Sequence, residues 1–186
     1  VASGAGAAGA RLPIMCNGAN LAFTKKAWLE SQTDLHEEQI SGDDVFLLLS
    51  IKKRKGTIRF LKSEKAMVTT AVTPDLKSFV RQRMRWTSKA PAYTDFHLIL
   101  TALSVFGISV VQLALLFLSF LSVQYFIGFL TVFCIKLLID FIFCMKIKDF
   151  FSLQLSPQLL LSLSFLYPFY ITTVVVLTAT SRKKKW

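Results

Sequence analysis

Apolar and polar positions divide this chain into two regions. Residues 98–180 hold nearly all of the long apolar runs, while residues 1–97 carry most of the charge. Within the second region, 98–121 has no charged residue, 125–145 carries only Lys136 and Asp140, and 159–180 is uncharged but contains Pro168. Each run approaches the roughly 20 residues that an α-helix needs to cross a bilayer. The pattern therefore predicts a membrane region of about three helices, with Tyr125, Tyr167 and Tyr170 as partial interfacial anchors. Lys136 and Asp140 stand four residues apart and share one helical face. They are either a mutually neutralised pair or a lipid or substrate contact inside the bundle.

The first region reads as shorter elements. The Gly/Ala/Ser-rich residues 1–10 predict a loop, 24–31 a short helix, and His36 with Glu37-Glu38 another loop. Residues 43–55 have acids at the start, apolar Val45, Phe46, Leu48, Leu49 and Ile51 within, bases at the end and then Gly56. That is the polarity of a helix with a glycine stop. Residues 57–61 and 66–70 are rich in strand formers and predict two short strands. Thr73-Pro74 predicts a helix start, with Thr73 as N-cap and the helix running over 74–89. Its apolar face would hold Leu76, Phe79, Val80 and Met84. Its basic residues Lys77, Arg81, Arg83, Arg85 and Lys89 suit a membrane interface.

Charge narrows the choice of partners. The formal net charge is +11 and 53% of the residues are hydrophobic, with a mean hydropathy of +0.52. The basic residues cluster at 52–55, 81–89 and 182–185, and the last two clusters flank apolar runs. Such placement fits the anionic cytoplasmic face of a membrane and argues against nucleic acid. Three crossings would put those two clusters on opposite sides. The charge rule is satisfied only if one segment, around 150–157 or Pro168, is interfacial or re-entrant. Cys16, Cys134 and Cys144 lack metal-ligand spacing and imply no disulfide framework. His36 and His97 stand apart from other ligand types. The absence of an initiator methionine and the abrupt end at Trp186 suggest a piece of a longer protein.

Three segments carry candidate chemistry. In Ser41-Gly42-Asp43-Asp44-Val45-Phe46-Leu47 two adjacent carboxylates sit at a helix start. They are either capping acids or a pair in which one acts as a base. In Gln82-Arg83-Met84-Arg85-Trp86, two arginines that could clamp phosphate adjoin a flat apolar ring. The same helix could simply contact lipid headgroups. In Cys16-Asn17-Gly18-Ala19-Asn20-Leu21-Ala22-Phe23, Gly18 permits close backbone approach, and Asn17 and Asn20 offer amides.

Taken together and in this order, these segments resemble the C-terminal half of a membrane-bound family-2 glycosyltransferase. The relevant relatives are of the Gln-x-x-Arg-Trp type, similar to cellulose and hyaluronan synthase-like and ceramide glucosyltransferase-like enzymes. The resemblance implies an α/β fold: the C-terminal part of a glycosyltransferase-A-type, Rossmann-like domain, followed by an α-helical transmembrane region. It divides the chain into an acceptor-side catalytic part at 1–73, an interfacial helix at 74–97, the membrane region at 98–181 and a basic tail at 182–186. It makes Asp44 the general base, with Asp43 standing where the family often has Glu. Arg85 would hold the donor diphosphate, with Gln82 and Arg83 in support. Trp86 would pack on the acceptor, beside the segment containing Cys16, Asn17, Gly18 and Asn20. Lys185-Trp186 looks like the start of a Trp-Lys-Gly-Arg type tail.

The implied reaction is inverting transfer of a sugar from a nucleotide sugar, a UDP-sugar foremost, to a lipid or glycan acceptor at the membrane. The catalytic side would be cytoplasmic, at the cell inner membrane. A divalent Mg²⁺ or Mn²⁺ would be bound by ligands outside this chain, which has no Asp-x-Asp motif and no nucleotide-binding start before Arg11. By itself the chain would then be inactive. Two other readings differ in class. One is a non-catalytic, small basic membrane protein acting as scaffold or regulator. The other is a transporter fragment using Lys136 and Asp140.

Overall fold

The computed structural model describes residues 2–35 and 42–181. His36, Glu37, Glu38, Ser41 and the basic tail at 182–186 lie outside the described residues. Among those described, the regular structure is helical throughout: α1 (Ala2–Gly9), α2 (Lys25–Ser31), α3 (Asp43–Lys53), α4 (Leu76–Thr87), α5 (Phe96–Leu118), α6 (Val123–Ile147) and α7 (Pro157–Thr180), with short 3-10 turns between some of them.

The expected α/β class is thereby corrected to an all-helical fold over the described residues. Residues 57–61 and 66–70 do not form strands; the chain there is irregular and is broken by the 3-10 turn Glu64–Ala66. A strand is stabilised by its ladder and by a packed face rather than by its own residues. Here Leu61 is 71% and Val72 89% exposed, so no layer covers this stretch. The Rossmann-like sheet implied by the resemblance is likewise not present among the described residues. Residues 1–10 are corrected in the other direction, to helix α1. Alanine is the best helix former, and a Cβ on Gly4 would come 2.9 Å from the Met15 carbonyl oxygen, so the helix lies close against the following chain.

Helix ends follow local chemistry. The Thr24 hydroxyl accepts the Ala27 N–H at 3.2 Å and starts α2. Helix α4 begins two residues later than predicted, because Asp75 rather than Thr73 is its N-cap; Asp75 accepts the Ser78 N–H at 2.7 Å. Asp is the stronger capping residue. Helix α3 closes on Lys55 in the left-handed region, φ +57°. The Gly56 N–H then returns to the Ile51 carbonyl at 2.9 Å.

The chain forms two compact units that divide near residue 100. In the N-terminal unit the core is Leu35, Phe46 and Leu47, with Leu21, Trp28, Ile51, Ala92 and Tyr93 packed on it. Two polar ties brace α3. Asp34 accepts the Ser50 hydroxyl at 2.7 Å and pairs with Arg54 at 3.2 Å. Lys52 pairs with Asp95 at 2.7 Å, and Asp95 also accepts the Leu98 N–H at the start of α5.

The C-terminal unit holds most of α5 and all of α6 and α7. Helices α5, α6 and α7 are each long and apolar enough to cross a membrane. Lys136 pairs with Asp140 on α6, Asp140 accepts the Ser164 hydroxyl of α7 at 3.1 Å, and the Lys136 ammonium lies 5.1 Å from the Tyr167 ring centre. Helix α7 runs through Pro168 without interruption.

The Asp34 tie makes stability pH-dependent. The Ser50 hydrogen bond, helped by Arg54 and Lys53, holds the Asp34 carboxyl below its ordinary value against the opposing effect of burial. A lowered carboxyl contributes stability above the unfolded pKa of about 4, and that contribution is lost as pH falls through the lower folded value. Thermal unfolding in detergent should therefore show a steeper loss of Tm below about pH 4 in the parent than in Asp34→Asn.

Candidate functional site

Helix α3 begins at Asp43, directly after Gly42. Gly42 has φ +111°, a left-handed conformation that disfavours side chains. A Cβ there would also lie 2.9 Å from Cδ and 3.0 Å from Nζ of Lys89. The glycine thus lets the acidic turn and the end of α4 approach each other closely.

Asp44 occupies the first turn of α3, where carboxylates suit the positive end of the helix. Its carboxylate accepts the Val45 N–H at 2.9 Å and, across 26 residues of chain, the Gly18 N–H at 2.8 Å. The Cys16 thiol donates to the Asp44 carbonyl oxygen at 3.0 Å. Burial first, and then the negative charge of Asp44, push this thiol up to about 12. Cys16 is therefore a neutral donor at physiological pH and not a nucleophile. Asn17 caps the turn Gly18–Asn20 by accepting the Ala19 N–H at 3.1 Å, which presents the Gly18 N–H to Asp44. The Asn20 amide donates to the Ala66 carbonyl and ties down the irregular segment.

Among the described residues, Gly18, Leu21, Phe23, Trp28, Gly42, Asp43, Asp44 and Leu47 line an open depression of about 380 Å³. Its walls are largely apolar, and the Asp43 and Asp44 carboxylates supply its charge. Asp43 is exposed and Asp44 half-buried.

Helix α4 carries Gln82, Arg83, Arg85 and Trp86. Arg83 lies over the Trp86 ring at 4.4 Å and the Phe79 ring at 4.7 Å, so its guanidinium is stacked along the helix. Trp86 is 46% exposed. Gln82 and Arg85 are half-buried. Arg85 lies within electrostatic reach of Lys89. The Gln-x-x-Arg-Trp segment thus reaches the acidic pair through Lys89, one turn beyond it, while Trp86 does not line the depression that holds Asp44.

Lys89 and Tyr93 belong to the site but carried no separate signal in the sequence. Lys89 is buried, with 5% of its surface exposed. Burial and Arg85 lower its pKa, while Asp44 and Asp43 act to raise it. Tyr93 packs on Phe46 with ring centres 5.6 Å apart; burial, Asp44 and Cys16 raise its pKa.

No group of three or more His, Cys, Asp or Glu able to hold a metal ion occurs among the described residues. These described residues do not fit a divalent metal site.

Residues 3–179 match the family model described as glycosyl transferase family group 2. Comparison with curated proteins and with solved structures finds no match.

The approach of Lys89 to Gly42 can be measured as a coupling. Gly42→Ala should cost about 2 kcal/mol from the left-handed backbone and the side-chain contact. In a Lys89→Ala background the cost should fall by about 0.5–1 kcal/mol. Chemical unfolding of the four variants checks this; additive costs would mean the two residues do not meet.

Proposed function

We propose that this chain, which belongs to glycosyl transferase family group 2, takes part in inverting transfer of a sugar from a nucleotide sugar, a UDP-sugar foremost, to a membrane-associated lipid or glycan acceptor. The observation that carries this reading is the Asp44 carboxylate, held by the Gly18 N–H at 2.8 Å at the edge of an open depression. A carboxylate so fixed can accept the proton of an acceptor hydroxyl as its oxygen attacks the anomeric carbon. The two backbone donors on Asp44 orient it for that task.

In this reading Asp43 supports the negative field beside Asp44. Arg85, with Gln82 and Arg83 in support, binds the donor diphosphate, and the Lys89 ammonium adds positive charge next to Arg85. Trp86 contributes an exposed apolar ring for the acceptor. The Cys16–Asn20 segment holds the acceptor side in shape by backbone hydrogen bonds. A divalent cofactor, Mg²⁺ or Mn²⁺, belongs to this reading only through ligands other than those described.

The proposed setting is a membrane, with the catalytic side cytoplasmic. Three apolar helices of membrane length support insertion. On α4, Leu76, Lys77, Val80, Arg81 and Met84 line an open, mainly apolar groove. Apolar residues beside Lys and Arg suit an anionic interface.

The test is nucleotide release in membranes containing the full natural reading frame, with a panel of UDP- and GDP-sugars and added Mg²⁺ or Mn²⁺. Asp44→Asn should lower acceptor-dependent release by about 100-fold or more, the range for loss of a general base. Transfer that survives Asp44→Asn unchanged would refute the assignment.

A further inference from the structure

Thr24 is the N-cap of α2, so Phe23 is the residue before the cap and Trp28 the fourth of the helix. Apolar residues at these two positions commonly pack together and fix the angle at which the chain enters the helix. Phe23 and Trp28 do so, with ring centres 5.5 Å apart and planes inclined by 20°. Trp28 in turn packs against the core of Leu35, Phe46 and Leu47.

That role accounts for the stacking but not for what the outer ring does. Phe23 remains 48% exposed, although it is clamped on one side by an indole anchored in the core. Both rings line the depression that contains Asp43, Asp44 and Gly18. The result is a rigid aromatic surface in the same depression as the carboxylate. A flat ring next to a fixed hydrogen-bond acceptor matches a pyranose, whose axial C–H groups form an apolar face and whose hydroxyls radiate from its edge. An acyl or isoprenoid tail would use the aromatic surface but leave the carboxylates facing hydrocarbon, at a desolvation cost.

We propose that the Phe23–Trp28 pair is the acceptor platform of this site, and that the group it binds is a sugar ring whose hydroxyl is presented to Asp44. This rests on the glycosyl-transfer reading above and narrows its acceptor to a glycan or a glycosylated lipid. Phe23 is then a substrate-contacting residue in addition to its part in starting α2.

Two experiments test it. Phe23→Leu keeps an apolar contact with Trp28 but removes the flat face, while Phe23→Tyr keeps the face. In the transfer assay Phe23→Leu should raise the acceptor KM about tenfold, the order expected for a lost aromatic contact. The donor KM and the Tm should stay near the parent values, and Phe23→Tyr should behave as the parent. An unchanged acceptor KM in Phe23→Leu would overturn the proposal.

The second experiment needs no catalysis. With Trp86 and Trp186 replaced by Phe, which keeps an apolar ring at position 86, Trp28 is the sole remaining indole. Its emission should respond saturably to methyl hexosides, and the response should vanish in Phe23→Leu. A response confined to vesicles containing a polyisoprenyl phosphate, or no response to any hexoside, would overturn the platform. Saturable hexoside binding without any transfer by the parent would leave the platform standing and refute the transferase reading instead.

Discussion

The hydrogen bond from the Gly18 N–H to the Asp44 carboxylate is the constraint on which the site depends. It joins two segments 26 residues apart at 2.8 Å. Everything else near it is arranged so that this bond can form. Asn17 caps the turn that aims the N–H, Gly42 allows α3 to start beside that turn, and the Cys16 thiol holds the Asp44 backbone from the other side. A charge-assisted bond of this kind is stronger than a neutral one, and it leaves the carboxylate facing an open depression rather than buried within the unit.

A second constraint acts at the far side of Gly42. The Lys89 side chain crosses the glycine, so the arginine-bearing helix and the acidic turn approach through a contact that any larger residue at 42 would disturb. The apolar helices have their own version of this problem. A lysine and an aspartate within α6 would be costly in hydrocarbon. They are offset by pairing with each other, by Ser164 and by the face of Tyr167.

What the sequence revealed follows from the range of the forces involved. Helices α3, α4 and the three long apolar helices were legible because periodicity, charge polarity and length are local properties. The α4 start was misplaced because Thr73 and Asp75 are both capping residue types, and only the bond from the Ser78 N–H to Asp75 separates them. The strands at 57–61 and 66–70 failed because strand formation needs a partner from elsewhere in the chain. Asp44 and Gly18 were legible as candidates through the family resemblance, but their contact was not. Lys89 read as one more base on a basic helix, and Phe23 only as the last residue of the Cys16–Phe23 segment, with no sign of the ring it stacks on. Their place beside Asp44 arises only when α2, α3 and α4 come together, which no spacing in the sequence encodes.

The most direct measurement follows the Gly18 amide itself. The chain has only 8 glycines, so glycine-selective ¹⁵N labelling gives a spectrum simple enough to assign. The Gly18 amide should move on Asp44→Asn, which removes the charge that its N–H meets, while Gly107 and Gly128, far along the chain, keep their signals. A Gly18 amide that ignores Asp44→Asn would contradict the account at its base, because the carboxylate would then not be held where the acceptor hydroxyl is expected.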